Sequence, residues 1–168
     1  MSAILSETDE VFLNHAIKLS RHALEDQGKT PFGAIVVIGD EVIAEGTSSV
    51  VELRDPTAHA EVMALRNAGR KLGQHLMPDA VMYASSEPCP MCLVACYWAQ
   101  ISRLVFGATS YDVATYGFED FQLYRELSRS AEARSLREDA ATGSLYVSAV
   151  EVLQEWAENL SIEVVPKF

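Results

Sequence analysis

Two short strings of the sequence combine residue types that bind metals with one that moves protons. The first is His59-Ala60-Glu61 and the second is Pro88-Cys89-Pro90-Met91-Cys92. Cys89 and Cys92 are three residues apart, so they share a face if they open a helix, where the helix dipole favours thiolate. Two thiolates and one imidazole make a three-ligand zinc site with an open fourth position, the arrangement expected of catalytic zinc. We therefore predict that Zn²⁺ is bound by His59, Cys89 and Cys92.

Glu61 is the candidate for proton transfer at this site. Catalytic zinc lowers the pKa of a water toward neutrality, and a buried carboxylate with a raised pKa suits a group that takes up a proton and delivers it again. Glu61 follows His59 by two residues, which is a turn of about 200° on a regular helix. We therefore expect the helix to point its N-terminus at the metal, so that His59 reaches the ion while Glu61 flanks the water.

A structural zinc site is the alternative to a catalytic one. Structural sites take four protein ligands, and no fourth ligand is evident, because Cys96 lies one turn past Cys92 and away from the start of the helix. Cys96 is more typical of a small core residue. An odd number of clustered cysteines is also a poor disulfide framework, and it fits metal ligation in a reducing compartment.

The composition restricts the class of partner. A chain of 168 residues has room for one domain, and not comfortably for two. Its formal net charge of −11 disfavours binding by phosphate neutralisation and favours a small substrate that is neutral or weakly charged. The first ten residues are acidic and do not form a secretory signal, and no apolar run is long enough to span a membrane. We therefore expect a cytoplasmic domain without a membrane partner and without nucleic acid as its main ligand.

The elements that position the two strings follow from hydrophobic periodicity and from turn residues. The pattern predicts helices that begin at Ser6, Ala58, Pro88, Phe118 and Val147 and end near Gly28, Leu72, Ala99, Ser128 and Asn159, with 130–137 as a less regular continuation of the fourth. It predicts strands at Ala34–Ile38, Val42–Glu45, Ala80–Ala84 and Arg103–Gly107.

This order of elements predicts an α/β fold, a three-layer α/β/α sandwich around a mixed sheet. The right-handed crossover rule places the helices that begin at Ala58 and Pro88 side by side. Their N-termini then meet at the carboxyl end of the sheet, where open α/β sheets bind ligands. The predicted metal ligands come together at that edge.

The sequence resembles the cytidine-deaminase-like superfamily of zinc-dependent deaminases, from about Phe12 to Glu126. The pattern H-x-E followed by P-C-x-x-C is the signature of zinc nucleobase deaminases. Three segments carry the resemblance: Pro31-Phe32-Gly33-Ala34, Asp55-Pro56-Thr57-Ala58-His59-Ala60-Glu61 and Glu87-Pro88-Cys89-Pro90-Met91-Cys92. The resemblance implies a mixed five-stranded sheet, Zn²⁺ as cofactor, and hydrolytic deamination of a nucleobase-like ring with Glu61 as the proton shuttle.

Within the superfamily, the bacterial guanine deaminases are the most similar branch. Ala95-Cys96-Tyr97-Trp98-Ala99 and Gly117-Phe118-Glu119-Asp120 resemble their segments. This likeness implies conversion of guanine to xanthine and ammonia by a homodimer in which 144–168 crosses to the partner. It also implies substrate contacts from Phe32, Ser48, Ala60, Trp98, Asp120 and Phe168.

Two positions depart from the pattern of that branch. Ser48 stands where these enzymes commonly have an Asn that reads the ring, and Phe168 stands in place of a terminal Tyr. A hydroxyl does not donate and accept as an amide does, and Phe keeps stacking while losing a hydroxyl contact. Cytosine, adenine, a pterin or an aminotriazine therefore stays open as the substrate.

Two other functions compete with a free-base deaminase. The first is a tRNA adenosine-to-inosine deaminase, which shares the metal motif but is disfavoured by the acidic charge and by Lys167 being the only basic residue after Arg137. The second is a non-catalytic binding subunit, which is disfavoured because Glu61 is retained.

Overall fold

The structure is a computed structural model that describes residues 4–26 and 28–165. The chain divides into two compact units at the peptide bond between Ser128 and Arg129. The first unit contains the sheet and the predicted metal ligands, and the second is helical. Within the described ranges, no helix is long and apolar enough to cross a membrane.

The first unit alternates helices and strands much as the periodicity predicts. Its strands are β1 (Gly33–Ile38), β2 (Glu41–Thr47), β3 (Ala80–Ser86) and β4 (Arg103–Ala108). Its helices are α1 (Glu7–Ala23), α2 (Val50–Leu53), α3 (Ala60–Leu72), α4 (Pro90–Trp98), α5 (Ser110–Thr115) and α6 (Asp120–Leu127).

The four strands form one mixed sheet in the order β2-β1-β3-β4. β1 is antiparallel to both β2 and β3, whereas β3 and β4 are parallel and are joined through α4. The predicted mixed sheet is confirmed, with four strands among the described residues rather than five. The predicted sequence runs account for all four, and 159–165 contains no strand.

Alternation along β1 builds the three layers, because successive side chains of a strand point to opposite faces. Ala34 and Val36 pack with residues of α3 and α4 in one core cluster. Ile35 and Val37 pack with Phe12 of α1 and its neighbours in the other cluster. All four β1 side chains are completely or almost completely buried, so the sheet is the middle layer of an α/β/α sandwich.

An ion pair between buried Asp9 and partly exposed Arg103 connects the start of α1 to the sheet. Ser6 caps the helix, and its hydroxyl and the Asp9 carboxylate form a reciprocal capping box. The Arg103 guanidinium donates to both oxygens of Asp9 at 2.7 and 3.0 Å, and the Tyr83 hydroxyl donates to Asp9 at 2.8 Å. These bonds hold the pKa of Asp9 well below its usual range, because they stabilise the ionised form.

The second unit contains a short 3₁₀ turn, Ala131–Ala133, and α7, Gly143–Glu158. α7 begins at Gly143, before the predicted Val147, and Gly143 itself has a positive φ of 63°, which glycine adopts without a steric penalty. Its larger apolar side chains are exposed, and they are Leu145, Tyr146, Val147, Val150, Val152, Leu153 and Trp156.

Candidate active site

His59 is the last extended residue before α3. It is the N-cap of this helix, with φ −68° and ψ 159°, and Ala60 is the first helical residue. Its side chain makes no capping hydrogen bond, so the ring is free to approach Cys89, where Nδ1 lies 3.6 Å from Sγ. If His59 and Glu61 were both helical, their side chains would point about 200° apart. That angle does not apply here, because His59 is in extended backbone and only Glu61 lies inside the helix.

A polar turn fixes the backbone in front of α3. The Asp55 carboxylate accepts hydrogen bonds from the amide and the hydroxyl of Thr57, at 2.8 and 2.6 Å. Arg66, one turn and a half along the helix, donates to Asp55 at 3.2 Å and to the Thr57 hydroxyl at 3.1 Å. These bonds set the angle at which the chain enters the helix at His59.

The start of α3 also lies directly against β2 at Gly46. A Cβ at Gly46 would overlap the carbonyl oxygen of Ala60 and the amide nitrogen of Ala64. Only glycine therefore allows the helix to approach the strand this closely, and this contact sets the distance of His59 and Glu61 from the sheet.

Cys89 has the same place in α4 that His59 has in α3. It is the N-cap, with φ −61° and ψ 166°, and Pro90 follows in the first turn, where its missing N–H has no intrahelical partner to lose. Cys92 is the third residue of the helix, so its sulfur lies beside that of the N-cap. The Tyr124 hydroxyl donates to the Pro88 carbonyl at 2.7 Å, which ties α6 to the segment that carries Cys89.

His59, Cys89 and Cys92 form a group whose potential ligand atoms all lie within 4.8 Å of one another. His59 is half-buried and both cysteines are buried. Two thiols and one imidazole at this spacing fit zinc, which accepts S and N ligands and keeps an open position in catalytic sites. Cys96 is buried in the core cluster beside Ala99 and is not part of the group.

The pKa values of the two thiols, Cys89 and Cys92, are shifted in opposite directions. Hydrogen bonds from Cys92 and His59 lower the pKa of Cys89 to about 4. The pKa of Cys92 is raised, because its thiol donates to the Cys89 sulfur and is buried. The hydrogen bond to Cys89 also raises the pKa of His59. A divalent cation that binds this group would displace the thiol proton, because the thiolate is the form that binds metals.

Glu61 lies at the same helix start and is only 6% exposed. Burial raises the pKa of its carboxyl, and this effect exceeds that of its hydrogen bonds to its own amide and to Cys92. A carboxyl with a raised pKa beside a metal site is suited to accept and return a proton.

A small cavity of about 180 Å³ opens next to these groups. The Phe32 and Phe118 rings meet edge to face in its wall, with centroids 4.8 Å apart and planes at 76°. Asp120 opens α6 in the same wall, and burial raises the pKa of its carboxyl. The lining consists of Gly28, Thr30, Phe32, Ser48, Val50, Val51, His59, Ala60, Glu61, Ser86, Cys89, Phe118, Glu119 and Asp120.

Comparison with known proteins agrees with this geometry. Residues 6–108 match the family model described as the cytidine and deoxycytidylate deaminase zinc-binding region. The chain belongs to this deaminase family. It is a hydrolytic deaminase, with His59, Cys89 and Cys92 as its possible zinc-binding group.

Curated relatives within the family include deaminases of two kinds. The guanine deaminase of Bacillus subtilis is 38% identical over 150 residues, which are 89% of this chain and 96% of that protein. A tRNA-specific adenosine deaminase of Haemophilus influenzae is 35% identical over 130 residues, which are 74% and 75% of the two chains. A crystal structure of the Bacillus subtilis guanine deaminase matches with a TM-score of 0.84 at 36% identity, covering 95% of this chain and all of that one.

The deaminase cavity brings together most of the residues named from the sequence. Phe32, Ser48, Ala60 and Asp120 line it together with His59, Glu61 and Cys89, and Cys92 is grouped with His59 and Cys89 without lining the cavity. Trp98 is 79% exposed and lines a separate open cleft between α3 and α4. Phe168 lies outside the described residues, so its predicted contact stays a prediction.

Sequence reasoning missed several residues of the cavity wall. Phe118 and Glu119 belong to the Gly-Phe-Glu-Asp segment, in which the family resemblance implies a role only for Asp120. Thr30 directly precedes the Pro31-Phe32 turn, and Ser86 ends β3, so both were adjacent to recognised segments. Their position beside the cavity depends on contacts between distant parts of the chain, which no local pattern encodes.

Proposed function

We propose that this enzyme hydrolyses guanine to xanthine and ammonia. The observation that carries the proposal is the likeness to the Bacillus subtilis guanine deaminase, which extends over nearly the full length of both chains with a TM-score of 0.84. A free base also suits a small cavity in a chain with a formal net charge of −11.

The residues at the helix starts divide the chemistry among them. His59, Cys89 and Cys92 would hold zinc, which supplies a nucleophilic water at neutral pH when it is bound. Glu61 takes one proton from the attacking water and delivers it to a ring nitrogen as the C–O bond forms. It then takes the second proton from the new hydroxyl group and delivers it to the departing amine as the C–N bond breaks, so that water and guanine become xanthine and ammonia. The backbone N–H groups of Ala60 and Cys89 steady the ring and the developing oxyanion, because helix starts carry N–H groups without intrahelical partners.

The walls of the cavity orient the ring. Phe32 and Phe118 offer apolar faces and edges to a planar base. The Asp120 carboxylate accepts a hydrogen bond from a ring N–H or from an amine. Both contacts favour a flat heterocycle that carries a donor on the edge nearest α6.

Ammonia release is the direct test. The zinc-loaded protein would be assayed against guanine, adenine, cytosine, their nucleosides, pterins and aminotriazines, with Glu61→Ala as the blank. We expect release from guanine and none from the blank. Release from a different ring alone would retain the deaminase chemistry and reject guanine as the substrate.

A tRNA adenosine deaminase is the second candidate, because relatives with that name share 35% identity or more with this chain. Such an enzyme requires a flipped or single-stranded adenosine and a surface that binds phosphates. Conversion of adenosine to inosine in an anticodon stem-loop, together with silence on free bases, would favour this candidate.

We also propose that the enzyme is a cytoplasmic homodimer in which 144–168 crosses to the partner, so that each active domain draws on two chains. Exposed apolar side chains on α4 (Val94, Tyr97 and Trp98) and on α7 support an apolar interface. Three free cysteines support a reducing compartment.

Complementation tests the exchange of segments. A chain that ends at residue 143 would be mixed during refolding with a full-length Glu61→Ala chain. If the segment crosses, the mixture regains activity that neither chain has alone, and light scattering reports a dimer. A monomeric, fully active wild type would reject both the dimer and the exchange.

A further inference from the structure

Two hydroxyl groups are hydrogen-bonded to each other in the wall of the deaminase cavity, next to the end of β2. The Thr30 hydroxyl donates a hydrogen bond of 2.7 Å to the Ser48 hydroxyl oxygen. Both residues line the cavity, and Ser48 is only 4% exposed. They are 18 positions apart in the sequence, so the pair is a product of the fold and not of a local turn.

The backbone around the pair is fixed at a second point. The Ser48 amide donates to the Phe32 carbonyl at 3.2 Å, and the Phe32 amide donates to the Thr30 carbonyl at 2.8 Å. Thr30 and Ser48 are therefore joined through both backbone and side chain. This double connection limits the rotation of the Ser48 hydroxyl about its Cβ.

The bond from Thr30 leaves Ser48 with a proton to donate. A serine hydroxyl has one donor and two acceptor sites, and Thr30 occupies one of the acceptor sites. Among residues 4–26 and 28–165, the bond from Thr30 is the one side-chain hydrogen bond of the Ser48 hydroxyl, and none from this hydroxyl to an acceptor is present. A buried donor without a partner costs free energy, so the cavity side of Ser48 is a place where a ligand acceptor is stabilising.

We propose that Thr30 is a positioning residue that fixes the Ser48 hydroxyl as a hydrogen-bond donor, so that the enzyme selects rings presenting an acceptor to this wall. The acceptor is a ring carbonyl oxygen or an unprotonated ring nitrogen. The inference deepens the proposed deamination of an amino-heterocycle and rests on it.

Asp120 adds a second polar group to the same cavity, and its hydrogen-bonding role is the opposite of that of Ser48. Its carboxylate is an acceptor at the start of α6, whereas Ser48 is a donor at the end of β2. A ring with a donor on one edge and an acceptor on another satisfies both groups. A ring with an amine in place of the acceptor leaves two donors facing each other at Ser48.

The test pairs variants of the enzyme with analogues that each lack one acceptor of guanine. The analogues are 2-aminopurine, which lacks the carbonyl oxygen, 7-deazaguanine and 3-deazaguanine, which each lack one ring nitrogen, and 2,6-diaminopurine, which carries an amine in place of the carbonyl. The variants are Thr30→Val, Thr30→Ser and Ser48→Ala. The value of kcat/KM relative to guanine is measured for every combination, so that the intrinsic reactivity of each analogue cancels.

For one of the analogues that lack an acceptor, we expect kcat/KM relative to guanine to be about tenfold lower in the wild type than in Thr30→Val or Ser48→Ala. A factor of ten corresponds to the loss of one hydrogen bond. The loss should fall mainly on KM, and Thr30→Ser should restore the discrimination because it retains the hydroxyl. Thr115→Val is the matched control, since it deletes a threonine hydroxyl that donates at 2.6 Å to the Asp112 carbonyl away from the cavity lining.

Two results would overturn the assignment. The first is that Thr30→Val ranks the analogues by kcat/KM in the same order and with the same ratios as the wild type, while the zinc content and Tm of the variant equal those of the wild type. The other is a preference for 2,6-diaminopurine that disappears in Ser48→Ala, which would make Ser48 an acceptor. A wild type that releases no ammonia from guanine contradicts the proposed function instead, and the same comparison is then made on analogues of the ring that is turned over.

Discussion

Glu61 combines burial, a raised pKa and proximity to the metal ligands, and a neutral amide of the same shape removes only its ability to carry a proton. We expect Glu61→Gln to reduce kcat by about 10²–10⁴, which is the usual contribution of a positioned acid–base group. Zinc content measured by atomic absorption should stay at the wild-type level. Glu10→Gln, a change on the exposed face of α1, is the control. Wild-type kcat in Glu61→Gln would remove Glu61 from the mechanism.

The three cysteines differ in role although all three are buried. Cys92 belongs to the metal-binding group, whereas Cys96 packs in the core with Ala99 and Met77. We expect Cys92→Ser to lose bound zinc and activity, and Cys96→Ala to keep both at a cost of about 1 kcal/mol in the free energy of unfolding. Zinc stoichiometry after dialysis separates the two outcomes. Loss of zinc in Cys96→Ala would instead indicate a four-ligand structural site.

The packing of α3 on β2 can be tested by adding one methyl group at Gly46. Gly46→Ala places a methyl group on the backbone of Ala60 and Ala64, so α3 must move away from the sheet and take His59 and Glu61 with it. We expect a loss of about 1–3 kcal/mol in the free energy of unfolding, as for other overpacked sites. Zinc affinity and kcat should fall together, which urea titration, chelator competition and the ammonia assay report. Unchanged activity would show that α3 can shift without moving the site.

The connection between α1 and the sheet predicts a dependence of stability on pH. Because the pKa of Asp9 is depressed in the folded state, its stabilisation is complete above the ordinary Asp value of about 3.9 and is lost as the pH falls toward the folded-state pKa. We expect Asp9→Asn to cost about 1–2 kcal/mol at pH 7, since Arg103 is partly exposed. The difference between wild type and variant should shrink below about pH 4. A difference independent of pH down to 2 would contradict this role.

At the level of elements, periodicity located the helices and strands, but helix starts decided the geometry of the site. The 3.6-residue pattern placed a helix over Ala58–Leu72, yet the first helical residue is Ala60. That shift of two residues puts His59 in extended backbone, where its ring can reach the cysteines. Periodicity does not report such a shift, because N-cap conformation depends on the turn at Asp55 and on the contact with Gly46.

For the whole molecule, the formal net charge of −11 sets the expected partners. A protein that relied on phosphate contacts would bind tRNA with a strong dependence on salt. We expect no mobility shift of an anticodon stem-loop from 50 to 200 mM salt, and kcat/KM on the free base that changes less than about twofold over that range. A salt-sensitive shift at micromolar protein would favour the tRNA deaminase candidate.

The fold and the metal ligands were predictable because short, specific strings encode them. H-x-E and P-C-x-x-C mark His59, Glu61, Cys89 and Cys92, and the order of elements predicts the three-layer sandwich. The cavity wall was only partly predictable. The Thr30–Ser48 pair joins residues from either side of the β1–β2 hairpin, and neither position has a pattern of its own.

The positions of His59 and Cys89 at two helix starts have a consequence for the entropy of the chain. These residues are 30 positions apart, and a metal held between them closes a loop of that length. Closing such a loop removes freedom mainly from the unfolded chain, as a cross-link does, with a stabilisation of about 3–4 kcal/mol for a disulfide of similar span. In a chain whose three cysteines are all free, the catalytic ion would therefore also act as a cross-link that holds the starts of α3 and α4 together.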